Sequence, residues 1–159
     1  MELQPEQIDI LIVEDNPGDV RLIREAFAAT QTPPKRLHVV PDGGEALDFL
    51  FRRGAHTNAP VPDLVLLDMN LPKESGIEVL TLIKRDPVLR RIVVIVTTVF
   101  ADPEMISRAY DLQANCCVLK PAGLDDLFRM VNSIQEFWFR LVSLPARSCN
   151  RQLRGGAGN

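Results

Sequence analysis

The feature that most narrows the fold is an alternation. Between residue 8 and about residue 143, apolar runs of strand length give way in turn to longer stretches with apolar residues at helical spacing. That is the pattern of βαβ units feeding one parallel sheet. The first run is 8–13; the third, 64–67, is apolar at every position, as a strand covered on both faces must be. Further strands are expected at 37–40, 92–96 and 116–119. A helix should start at Asn16-Pro17, an N-cap followed by proline at the first helical position, and others should cover about 44–53, 76–84 and 103–112. A last amphipathic helix, about 124–142, carries Leu127, Val131, Ile134, Trp138 and Leu141 at helical spacing. Five strands alternating with five helices, joined by right-handed crossovers, predict an α/β fold: a flavodoxin-like, doubly wound parallel sheet in strand order 2-1-3-4-5, helices on both faces, with an extended last helix.

A chain of 159 residues holds one such domain, at 8–143, with an N-terminal extension at 1–7 and a flexible tail at 144–159. No DNA-binding or catalytic domain is expected after it. The net charge of −3 gives no field to gather nucleic acid or anionic lipid, and neither a leader-like N-terminus nor a membrane-length apolar run is seen. The expected location is the cytoplasm. Three cysteines, with Cys116 and Cys117 adjacent, make neither a disulfide framework nor a zinc pattern and read as reduced thiols. Cys149, Arg147, Arg151 and Arg154 fall in the tail, and the arginines read as solvated.

In open α/β sheets, ligands sit beyond the carboxyl ends of the strands where the winding reverses. Glu14 and Asp15 end the first strand, Asp68 the third, Thr97 the fourth and Lys120 the fifth, so three carboxylates, a hydroxyl and an ammonium should share one rim. Crowded carboxylates repel, and a hard divalent cation relieves them. Mg²⁺ is the natural candidate, bound directly by Asp15 and Asp68, through water by Glu14, and by the backbone carbonyl of Asn70. With a carboxylate as nucleophile, phosphoryl transfer yields an aspartyl phosphate, and Lys120 and Thr97 are placed to neutralise and hydrogen-bond the phosphoryl oxygens. His38 and His56 lie away from this rim and are not expected to be ligands.

These motifs, Val13-Glu14-Asp15, Leu67-Asp68-Met69-Asn70-Leu71-Pro72, Val96-Thr97-Thr98 and Leu119-Lys120-Pro121, resemble those of two-component response-regulator receiver domains. The resemblance spans residues 8 to about 143. It implies that Asp68 is the phosphoacceptor, Glu14 and Asp15 the acid pair, Thr97 the switch hydroxyl and Lys120 the phosphate-pairing lysine. The donor would be a histidine kinase, and the chain a phosphoacceptor rather than an enzyme. Within that family, Asn16-Pro17-Gly18-Asp19, Asp86-Pro87-Val88-Leu89-Arg90-Arg91, Ala114-Asn115-Cys116, Phe137-Trp138 and Leu144-Pro145 resemble the single-domain branch that serves bacterial phytochrome kinases. That branch implies a homodimer through the last helix. The stripe of Phe128, Met130, Phe137, Trp138 and Phe139 exceeds what one helix face needs for its own core and fits such a contact.

One departure stands out. The aromatic that receivers carry three residues before the lysine is Cys117 here, so coupling is expected to run through the helix after Pro103 or through the last helix. Two other readings stay open: an adaptor of receiver fold that ignores phosphorylation, and a phosphate-ester hydrolase, against which Asn70 stands where such enzymes place a second acid.

Overall fold

The apolar runs form strands because nearly every side chain in them is taken out of water. In the computed structural model, which describes residues 7–31, 33–72 and 75–146, β1 (Ile8–Val13), β3 (Leu64–Asp68) and β4 (Val93–Thr98) are buried throughout. They are the three central strands. β2 (Lys35–Val40) and β5 (Cys116–Leu119) form the half-exposed edges, and all five pair in parallel in the order β2-β1-β3-β4-β5. The order and the parallel sense are those expected.

The period-two alternation of the strands feeds two cores. Leu11, Val13, Val65, Leu67, Val94 and Val96 face α2 (Gly43–Leu50) and α3 (Ser75–Arg85), with Ala109 of α4 (Pro103–Asp111) at the same face. Ile10, Ile12, Leu64, Leu66 and Ile95 face α1 (Pro17–Ala28) and α5 (Leu124–Gln135). Each such side chain contributes about 1.5–3 kcal/mol by leaving water. Because all five strands pair in parallel, every carboxyl end lies at one rim.

Local chemistry sets the ends of the helices. Asn16 and Asp42 accept from the amides of Asp19 and Glu45, as N-caps do, and prolines occupy the first turns of α1 and α4. Asp86 accepts from the amides of Val88 and Leu89, which builds the 3₁₀ turn Leu89–Arg91. Several boundaries move from their expected places. β2 begins two residues before 37, and β4 runs on through Thr98 instead of stopping at 96, because backbone pairing continues where the apolar pattern fades. α2 stops at Leu50, short of 53, where the chain turns and Arg52 takes a positive φ of 58°.

The last helix continues past Gln135 as a π-helical stretch, Glu136–Leu141. This extra residue per turn rotates the aromatic stripe. Phe139 is buried, and Phe128, Met130 and Trp138 pack partly on the second core, so most of the stripe covers the domain's own interior. Phe137 and Leu141 stay out, 48% and 75% exposed. The tail residues Arg147, Cys149, Arg151 and Arg154, and residues 1–6, lie outside the described residues.

Two polar clusters were not legible as such. Asp9, fully buried in β1 at the end of the sheet away from the rim, accepts from Arg36 Nε at 2.8 Å and lies 3.0 Å from His38 Nε2; its amide donates to Asp63. His38 is therefore a partner for a buried acid. Lys84, near the end of α3, donates to the Arg90 and Ile92 carbonyls and to Asn115 Oδ1, which also takes the Val94 amide, so Asn115 ties α3 to the sheet.

Burial pulls Lys84 down to about 8 from its ordinary 10.5. Below about pH 8 the lysine is charged both in the fold and in the unfolded chain. Between about 8 and 10.5 the unfolded chain holds a proton that the fold has released, so stability rises with pH across that window. Denaturant unfolding at several pH values should show native stability rising there relative to Lys84→Met, which lacks the titrating group.

Candidate functional site

At the rim, β1 ends in Val13 and the chain turns directly through Glu14 and Asp15 into the cap of α1; β3 ends in Asp68, and Lys120 follows β5. The two inner strands that meet here, β1 and β3, flank the point where the winding of the sheet reverses. Glu14 and Asp68 are both 3% exposed, Asp15 is exposed, and each of the three offers a carboxylate oxygen within 4.8 Å of the others. The structure therefore brings together the acids that lie more than fifty positions apart in sequence.

Lys120 opposes them. Its side chain is only 6% exposed; the ammonium bonds Glu14, meets Asp19 Oδ2 at 2.8 Å and stands 3.6 Å from Asp68 Oδ2. Its own amide donates to the Thr98 carbonyl, which fixes where the side chain starts. Burial alone would lower the lysine's pKa, but the bonds to Asp19 and Glu14 and the charge of Asp68 outweigh it and leave the pKa raised. Burial pushes the Glu14 carboxyl above the usual range and Asp68 adds to the rise, against the pull of Lys120 and the Asn16 amide.

Asp68 is held from its own backbone. Oδ1 accepts from the Asn70 amide at 2.8 Å, and the Met69 amide donates to the Thr97 carbonyl, fastening the end of β3 to β4. α3 starts so close behind that a Cβ on Gly76 would sit 3.0 Å from the Asp68 carbonyl oxygen, so a larger residue there would press on the strand end. Thr97 is paired in register with Asp68 and is buried. Asn70, expected to offer its carbonyl, also accepts from the Val99 amide through Oδ1, linking the β3 loop to the start of the β4 loop.

Where an aromatic was missing from β5, one arrives from a neighbouring helix: the Tyr110 hydroxyl of α4 accepts from the Cys117 amide at 3.1 Å. Burial raises the pKa of the Cys117 thiol, so it is not a ready nucleophile. Sequence reasoning missed Asp19 at the site. Its place in the first turn of α1, where acids are ordinary, concealed it.

A family model for the response regulator receiver domain matches residues 10–132. The chain belongs to the response regulator receiver family. As a receiver it is 44% identical over 137 residues to the response regulator Rcp1 of Synechocystis sp., covering 86% of this chain and 92% of that protein. The crystal structure of Rcp1 in its Mn²⁺-bound form superposes with a TM-score of 0.82 at 42% identity, covering 87% of this chain and 99% of the other. The phosphorylated cyanobacterial phytochrome response regulator RcpA superposes at 0.84 and 46% identity, covering 88% and 99%. Among the described residues of the receiver, no helix is long and apolar enough to cross a membrane.

The donor set of the receiver suits a hard divalent cation. All three candidate ligands are carboxylates, each with an oxygen within 4.8 Å of the others, and hard divalent cations take oxygen ligands of this kind.

Proposed function

We propose that this receiver takes a phosphoryl group from the phosphohistidine of a partner histidine kinase onto Asp68 and, in doing so, changes the protein surface it presents. The carrying observation is the meeting of Glu14, Asp15, Asp68 and Lys120 at one rim, with Asp68 nearly buried and opposed by an ammonium. An Asp68 carboxylate oxygen attacks phosphorus; the bond to the kinase imidazole breaks and its electron pair returns to the ring nitrogen. Transfer of this kind needs alignment and charge neutralisation more than covalent help. The Asn70 amide holds the carboxylate's orientation, and Lys120 neutralises the oxygens that arrive. Glu14, Asp15, Asp68 and the Asn70 carbonyl would hold Mg²⁺, which when bound supplies the remaining positive charge. Chelating divalent ions should therefore stop uptake of the phosphoryl group from a small acyl phosphate, as read by intact mass. No uptake under any condition would favour an adaptor of receiver fold, whereas unchanged uptake with chelator would show that the transfer does not need the metal site.

Thr97 is the element that reports the change. Its hydroxyl, next to Asp68 across the β3–β4 pair, bonds the new phosphoryl group and draws β4 and the start of the following loop with it. Replacing Thr97 with valine keeps the shape and removes only one hydrogen bond, worth about 1 kcal/mol, or roughly fivefold. Uptake should persist within that factor. The change in amide exchange of α4 and β5 that uptake causes in the native receiver should disappear.

The similarity to RcpA, a cyanobacterial phytochrome response regulator, supports a bacterial phytochrome as the kinase, and the exchange would take place in the cytoplasm. Phe137 and Leu141, exposed among Arg129, Glu136 and Arg140 on the outer face of the last helix, would form the contact of a two-fold homodimer. Basic and acidic side chains on one face can answer one another across a two-fold axis.

A further inference from the structure

Asp19 has an ordinary reason to stand where it does. An acid in the first turn of a helix meets the positive end of the helix dipole, and the Asp19 amide is already satisfied by the Asn16 cap at 3.1 Å. Its carboxylate does something that role does not require. It reaches from α1 to the residue that follows β5 and takes the Lys120 ammonium at 2.8 Å, a full hydrogen bond, while Asp68 Oδ2 stands 3.6 Å from the same nitrogen. An ammonium has three protons to give. Glu14 and Asp19 hold the near contacts, and Asp68 has the distant one.

We propose that Asp19 is a positioning residue for phosphoryl transfer: it holds Lys120 back from Asp68 in the unphosphorylated receiver and competes with the arriving phosphoryl group for the same ammonium. This rests on the phosphotransfer reading above. When the Asp68 carboxylate attacks an acyl phosphate, a P–O bond forms to Asp68 as the P–O bond to the acyl oxygen breaks, and the electron pair leaves on the released carboxylate. No proton changes hands at Asp68, so the negative charge brought in has to be met by cations, and among the described side chains at the rim that share falls to Lys120. Of its near partners, Asp19 is the one to release it: Glu14 is 3% exposed and would be left buried without its cation, whereas the Asp19 side chain is 34% exposed and water replaces what it gives up. Asp19 thereby sets a threshold on both directions of the exchange.

The test is the rate of phosphoryl uptake from acetyl phosphate with Mg²⁺, followed by intact mass, in the native receiver, Asp19→Asn, Asp19→Glu, Lys120→Met and the Asp19→Asn/Lys120→Met double variant. Asp19→Asn should take up the group about two- to fivefold faster, the upper part of the range expected of a partly exposed ion pair. Asp19→Glu, which keeps the charge, should return the rate toward the native value. In the Lys120→Met background the acceleration should vanish, which a merely structural role for Asp19 would not produce. An Asp19→Asn rate equal to or below the native one, or the same acceleration without Lys120, overturns the inference while native uptake leaves the phosphotransfer reading standing. If the native receiver itself takes up nothing, both fall together.

Discussion

Asp68→Asn should take up no phosphoryl group from acetyl phosphate and Mg²⁺ under conditions in which the native receiver gains the mass of one. The amide has the shape of the carboxylate but no nucleophilic oxygen of comparable strength, so the loss is complete rather than graded. The fold should not suffer. Asn can still accept from the Asn70 amide at the place of Oδ1, and removing one charge lessens the repulsion among Glu14, Asp15 and Asp68. Thermal unfolding without metal is therefore expected to have a midpoint no lower than the native one. A variant that is as stable as the native protein and chemically silent separates the acceptor from the scaffold. Residual uptake at another residue would show that a different group carries the chemistry.

The second large effect belongs to Lys120. Lys120→Met keeps most of the unbranched side chain and removes the cation that, among the described residues, pairs with Glu14, Asp19 and Asp68. Two losses follow from one change. Glu14 is left nearly buried without its partner, and breaking a buried pair in this way costs about 3–5 kcal/mol, reduced to the extent that Glu14 takes up a proton. Denaturant unfolding in the presence of chelator should show this. Added Mg²⁺ should recover part of the stability, because it too satisfies the acids. It should not recover transfer, since the charge that develops on the phosphoryl oxygens still lacks its counter-ion, and loss of one such electrostatic partner slows a reaction about 10²–10³-fold. Stability rescued by metal while the rate stays low would distinguish a role in the chemistry from a role in the fold.

How much of this was legible in the sequence follows from the kind of signal each element carries. The strands of the interior announce themselves: Leu64 to Leu67 are apolar on both faces because both faces are covered, and the winding rules then place Asp68 beside Glu14 and Asp15 without any contact being visible in the chain. Edges and ends were harder. β2 starts at Lys35 and Arg36, charged residues that belong to a strand because its neighbour offers backbone bonds and because Arg36 reaches the buried Asp9. No local pattern reveals that partnership. The Asp19 contact was hidden for a related reason, since its local role in α1 is complete and its second role depends on a lysine about a hundred positions away. The aromatic stripe of the last helix misled in the other direction. A strict helical period continues the buried face Leu127, Val131 and Ile134 to Trp138 and Leu141, but across the π-helical turn Phe139 is buried, Trp138 packs partly on the core and Leu141 points out, 75% exposed. Cys117 shows the limit of reading one position at a time: the phenol that contacts its amide comes from Tyr110, on a different element.

Phosphoryl transfer at this rim depends on acids from separate strands sharing one cation, and calorimetric titration of the native receiver and Asp15→Asn with Mg²⁺ tests that sharing most directly. The expected result is a single saturable site in the native protein and an affinity at least about tenfold weaker once the exposed ligand Asp15 is neutralised, about 1.4 kcal/mol for a lost charged ligand. No saturable binding to the native protein, or the same affinity in Asp15→Asn, would contradict it.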